Sequence, residues 1–126
     1  MKSKKRSSYQ KGNIYENEVK KILEAQGWNV FKQHRKPIYV NKRVLMIGAD
    51  IFGCDIVAKR YNAKTRWIQV STEDNLHKKI KQVMEFPWNL EGESLEIWCK
   101  IKGKKAYNVH KAPTFDKVSI EEVARG

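Results

Sequence analysis

Between Gly48 and Ser71 the chain sets a carboxylate at the head of a short apolar run, and few folds accommodate that. Two such runs, Cys54–Lys59 and Arg66–Ser71, flank a polar, basic turn and are expected to form neighbouring strands. Strand side chains alternate between faces. Asp55, Val57 and Lys59 therefore share one side of the first strand, and Trp67, Gln69 and Ser71 one side of the second. Pairing the two gathers Asp55 beside Gln69 and leaves Ile56, Ala58, Ile68 and Val70 to fill the core behind them. A carboxylate buried on a strand is costly unless its charge is compensated, as a bound cation would do. Asp55 is equally explained as a turn residue closing the Asp-Ile-Phe-Gly loop that begins at Asp50.

The surrounding chain is expected to be a mixed α/β sheet with helices packed against it. Tyr15, Val19, Ile22 and Leu23 recur at helical spacing, with Asn13 as N-cap and Gly27 at C′. Glu16 borders this apolar stripe. An acid in the first turn also suits the helix dipole, which accounts for Glu16 without any further role. Glu18, about 200° around the helix from Glu16, is expected to face outward. Trp28–Gln33 follows as a strand. Ile38–Val40 and Arg43–Ile47, joined by Asn41 and Lys42, suggest a hairpin, with Pro37 breaking the chain before it. Leu76–Phe86 has a helical stripe of Leu76, Ile80, Val83 and Met84, stopped by Pro87. Ser94–Ile101 and Lys105–Lys111 complete the strands, and Ser119 with Glu122 offers a capping box for a short last helix.

With 126 residues the chain is one domain by length, divided here into a basic flexible arm at 1–11 and a single folded unit at 12–126. A formal net charge of +12 calls for a polyanionic partner, nucleic acid above all. The arm carries Lys4, Lys5, Arg6 and Lys11, and the hairpin Arg35, Lys36, Lys42 and Arg43; both sets are candidates for phosphate contacts. Cys54 and Cys99 sit inside apolar runs and are expected to be small buried hydrophobes. With His34, His77 and His110 they show no zinc spacing. No signal peptide or membrane span is evident, so no membrane partner is expected and the expected compartment is cytoplasmic.

Glu16, Asp50, Asp55 and Gln69 supply hard oxygens, the donors that magnesium takes while keeping several waters. Such an ion polarises a phosphodiester and lowers the pKa of an attacking water. On these residues the chain resembles the PD-(D/E)XK nuclease superfamily, and within it the archaeal and phage Holliday junction resolvases. The resemblance runs from Lys11 to Val83. It rests on the Lys-Gly-X-X-Tyr-Glu start and Gly-Trp-X-Val end of the first helix and strand, the Asp-Ile-Val-Ala run at Asp55, and Ile-Gln-Val at Gln69.

The resemblance implies a restriction-endonuclease-like core in which Glu16, Asp55 and Gln69 hold Mg2+, or Mn2+ in its place. Asp50, in Gly-Ala-Asp-Ile-Phe-Gly-Cys-Asp, is a second acidic candidate and resembles a turn of some phage members. It further implies a homodimer that resolves four-way DNA junctions, in a host cytoplasm if the chain is viral. Trp88, Trp98, Phe86 and Leu95 are apolar surface in excess of what a small core needs, in keeping with a dimer. The family lysine is replaced by Ser71. Lys78 or Lys79, on the helix that follows, are the nearest substitutes, and Lys78 is assigned the role. Gln69 in place of Glu ligates through its carbonyl oxygen with weaker ion affinity. Two other readings remain: a nuclease of this fold with another DNA target, or a catalytically silent DNA-binding module, which Ser71 favours.

Overall fold

Six strands form one mixed sheet with helices on both faces, in a computed structural model that describes residues 8–32, 36–40, 43–47 and 52–125. For 8–11, 36–40 and 43–47 the backbone alone is described. The elements are α1 (Ser8–Ala25), β1 (Asn29–Lys32), β2 (Lys36–Val40), β3 (Arg43–Ile47), β4 (Ile56–Lys59) and β5 (Thr65–Thr72), then α2 (Leu76–Val83), β6 (Glu93–Lys100), β7 (Tyr107–Lys111), β8 (Asp116–Val118) and α3 (Ile120–Ala124). A 3-10 turn, Glu73–Asn75, links β5 to α2. The sheet order is β1-β4-β5-β6-β7-β8, while β2 and β3 form a separate ribbon. Among the described residues no helix is long and apolar enough to cross a membrane.

All neighbours in the sheet are antiparallel except β5 and β6, which run parallel from Thr65↔Glu93 to Thr72↔Lys100. A parallel pair needs a long crossover, and α2 supplies it. The crossover helix covers one face of the sheet, over Cys54, Leu95, Ile97, Cys99 and Ala112, with its own Val83 buried among them. The other face carries Ile56, Ala58, Ile68, Val70, Trp98 and Val109 beneath Val19 and Leu23 of α1 and Val123 of α3. Covered on both sides, β6 loses the in-out alternation of a half-exposed strand: every residue from Ser94 to Cys99 is buried.

Several elements depart from expectation. The first helix starts at Ser8, so residues 8–11 are helical and Asn13 lies inside the helix, not at its cap. Pro37 lies within β2, paired with Met46 in the two-stranded ribbon, where only one side of each strand needs a partner. The helix after β5 ends at Val83. Met84 is its C-cap and is exposed, so it does not join the buried stripe. Trp98 and Leu95 are fully buried and belong to the core, which withdraws them as surface available to a second copy. Phe86 and Trp88 are half-buried beside Phe52 and Trp67 in an aromatic cluster with edge-on contacts. Glu18 does not simply face solvent: it accepts hydrogen bonds from Lys100 Nζ (2.8 Å) and Tyr107 Oη (2.6 Å). At the C terminus the cap forms as expected, Ser119 Oγ accepting from Glu122 N.

Candidate functional site

The site follows from a mismatch of strand lengths. The antiparallel pairing of β4 with β5 begins at Ile56↔Ile68, yet β5 continues through Gln69, Val70 and Ser71 to Thr72. Along that extension β6 still covers one edge, and the edge on the β4 side opens. Asp55, one residue before β4, closes it in part. Its backbone N–H donates to the Ile68 carbonyl (2.9 Å), and its Oδ2 accepts from the Val70 N–H (3.0 Å), a donor that a longer β4 would have paired.

The loop before Asp55 is held against α2. Gly53 has φ +78°, open to glycine and strained for other residues, and a Cβ there would meet Gln82 O, Val83 Cα and Phe86 Cε2 at 3.4 Å. Close approach of this turn to the end of α2 sets where Asp55 sits.

At the opening lies a cleft of about 400 Å³ lined from both faces of the sheet. Glu16 enters from α1, Asp55 from the start of β4, Gln69 from β5, and Lys79 from α2. Glu16, Asp55 and Gln69 are all buried. Among the described residues Gln69 Oε1 accepts no hydrogen bond, an acceptor left over in a polar cleft. Gly12 lines the cleft as well, and a Cβ there would come into ordinary contact with Glu16 Oε2 at 3.7 Å. Three residues from three separate pieces of backbone thus contribute oxygens to one cleft. Such a set suits a hard divalent cation that keeps some of its water.

Lys79, not Lys78, reaches the cleft. Asn75 and Lys79 are one helical turn apart and both line it, while Lys78 lies about 100° further round and is exposed. Helical spacing already held this distinction, because Lys79 is three residues from Leu76 and borders the apolar stripe, whereas Lys78 does not. Ser71 is buried in the cleft wall, its hydroxyl donating to the Thr72 carbonyl (3.2 Å). Asp50, Lys4, Lys5, Arg6, Arg35 and Lys42 lie outside the described residues. Lys11 falls in α1, Lys36 in β2 and Arg43 in β3, with their backbone alone described.

Two features outside the cleft lining were not legible as sites. Arg66 and Glu96, both almost wholly buried, form a bidentate pair behind β5 (Nε to Oε2 2.9 Å, Nη2 to Oε1 2.8 Å). On the α2 face, Glu73, Cys99 and His110 converge despite lying far apart in sequence. Burial and the nearby Glu73 charge push the Cys99 thiol up to about 12. Burial also raises the Glu73 carboxyl, but the hydrogen bond from Asn108 and the nearness of His110 and Lys117 outweigh it and hold Glu73 below its ordinary value.

Comparison of the sequence with protein-family models and with curated proteins returns no match.

Proposed function

We propose that this protein is a magnesium-dependent, structure-specific DNA endonuclease of the PD-(D/E)XK type, with four-way junctions as its substrate and a homodimer as its working form. The observation that carries the reading is the convergence of Glu16, Asp55 and Gln69 on one cleft that Lys79 also lines. The order of those residues supports it too: a helical Glu, an Asp opening the second strand of the main sheet, and a Gln on the third. The net charge of +12 supplies the attraction for a polyanion.

The residues fit a hard divalent ion: two carboxylates and an amide oxygen, the last without a hydrogen-bond donor among the described residues. Bound there, the ion would polarise the scissile phosphate and acidify a water. Asp55 does two things at once, since the carboxylate that faces the cleft also fixes the Val70 N–H and so the path of β5 beside Gln69. Lys79 lines the same cleft as Ser71, the residue that replaces the family lysine, and its ammonium would offer positive charge to the pentacovalent phosphorane as it forms.

Asp55→Asn is the direct test. An asparagine oxygen still accepts from the Val70 N–H, so the fold and junction binding are expected to survive while magnesium-dependent cutting is lost. Loss of binding together with cutting would make Asp55 a structural residue and remove the hydrolytic reading. The substrates to compare are a four-way junction, a flap, duplex and single-stranded DNA; faster cutting of any other than the junction replaces the substrate named here. Ser71 favours the catalytically silent binding module, which a junction held tightly but left uncut by the unaltered protein in Mg2+ and in Mn2+ would establish.

A further inference from the structure

The pairing of β6 with β7 places Cys99 opposite Asn108 and Ile97 opposite His110, so Cys99 and His110 share one face of the sheet on adjacent pairs. Glu73 follows directly on β5, whose Ser71 is the partner of Cys99 on the other side. One ligand atom from each of Glu73, Cys99 and His110 lies within 4.8 Å of the other two. His110 Nε2 is 3.2 Å from Glu73 Oε1, and Asn108 Nδ2 donates to that same oxygen at 2.8 Å.

The other nitrogen of the ring decides the chemistry. His110 Nδ1 lies 3.0 Å from the Phe115 carbonyl, which can only accept, so Nδ1 carries the hydrogen. In the neutral imidazole Nε2 then turns a lone pair toward a carboxylate oxygen. Two acceptors facing one another are relieved by a second proton on the ring or by a cation that both ligate. A ring held through Nδ1–H by a backbone carbonyl, with Nε2 presented outward, is the arrangement of metal-bound histidines. A protonated ion pair would account for Glu73 and His110 alone; the sulfur beside both is a third donor.

We propose that Glu73, Cys99 and His110 form a second metal site, for a borderline-soft divalent ion with zinc as its natural occupant. Sulfur, nitrogen and one carboxylate oxygen are zinc ligands, whereas the oxygens of the Glu16–Asp55–Gln69 cleft suit magnesium. On binding, the Cys99 thiol gives its proton to solvent and the thiolate bonds the metal. Cys99 is wholly buried and the Glu73 side chain is 43% exposed, so the site is closed by the sheet and open on the Glu73 side. A fourth position is thereby left for water or an added ligand. Glu73 lies between Thr72 and Asn75, both of which line the cleft, so a metal here ties that wall of the cleft to β6 and β7.

The test uses the whole protein, stripped of metal and titrated with Co2+ as a spectroscopic probe, then with Zn2+ against a chromophoric chelator. One cobalt per chain is expected in thiolate coordination, with a thiolate-to-metal charge-transfer band in the near ultraviolet that zinc abolishes; any cobalt held by the oxygens of the cleft gives no such band. His110→Ala and Glu73→Gln, at sites not wholly buried, are each expected to weaken zinc by about tenfold or more. Cys99→Ser is expected to lose the charge-transfer band, and Asp55→Asn to leave zinc affinity unchanged. Absence of a thiolate band in the unaltered protein overturns the proposal and leaves a plain ion pair. Zinc affinity unaltered by His110→Ala and Glu73→Gln overturns it as well.

Discussion

Glu96→Gln changes one atom type in the interior and is expected to be among the most damaging substitutions in the chain. Glu96 Oε1 accepts from Arg66 Nη2 and Trp98 Nε1; Oε2 accepts from Arg66 Nε and Ser94 Oγ. If Oε1 becomes NH2, the Arg66 and Trp98 donors both face a donor; if Oε2 does, Arg66 Nε faces one, while the Ser94 hydroxyl can turn to accept. The Arg66 guanidinium, 1% exposed and packed over the Trp28 ring at 4.7 Å, also loses its counter-charge. Removing one partner of a buried pair costs about 3–5 kcal/mol. A chain of 126 residues has on the order of 6–19 kcal/mol in total, so the loss is a large share of it. With a urea slope of about 2 kcal/mol/M, the midpoint followed by far-UV circular dichroism should fall by roughly 2 M. Replacing both members by apolar residues, Arg66→Met with Glu96→Leu, should recover most of that, because well-packed hydrophobes substitute for a buried pair at about neutral cost or better. A Glu96→Gln protein within about 1 kcal/mol of the unaltered one would show that the pair is not carrying a desolvated charge, and the reasoning would fail.

Two further outcomes are expected. Lys79→Ala should slow cleavage of the preferred DNA by about a hundredfold, the loss typical of one electrostatic donor, while Lys78→Ala stays near the unaltered rate in single-turnover assays. Equal effects of the two would remove Lys79 from the cleft chemistry. For Glu18, burial raises the carboxyl, but the hydrogen bonds from Lys100 and Tyr107 and the charges of Lys100 and Lys105 outweigh it and hold it below its ordinary 4.5. A depressed carboxyl stabilises the fold above that value and ceases to do so as pH falls through its folded value. Thermal unfolding in acid should therefore show the unaltered protein losing stability below about pH 4.5 more steeply than Glu18→Gln; parallel profiles would contradict this.

Much of the cleft was legible because alternation along a strand is a local property. Asp55 and Gln69 on one side, with Ile56, Ala58, Ile68 and Val70 on the other, follow from counting by twos. Glu16 followed in the same way from helical spacing against Val19 and Leu23. The choice between Lys78 and Lys79 was equally available, since the apolar stripe of α2 runs beside Lys79. Trp98 and Leu95 were harder. In β6 both faces are covered, so no polar face marks the strand as interior, and Ser94 and Glu96 give it a surface-like composition until Arg66 is seen to pair with Glu96.

From its residues alone, this chain determined which side chains share a face and a formal net charge of +12; the end of α2 at Val83, short of Pro87, was not among those things. Tertiary structure decided the parallel register of β5 with β6, the overhang of β5 beyond β4 that opens the cleft, and the meeting of Glu73, Cys99 and His110. Periodicity is written in neighbouring residues and survives any arrangement of the elements. Register joins segments tens of residues apart, and it is settled only when the sheet closes and both of its faces are buried together.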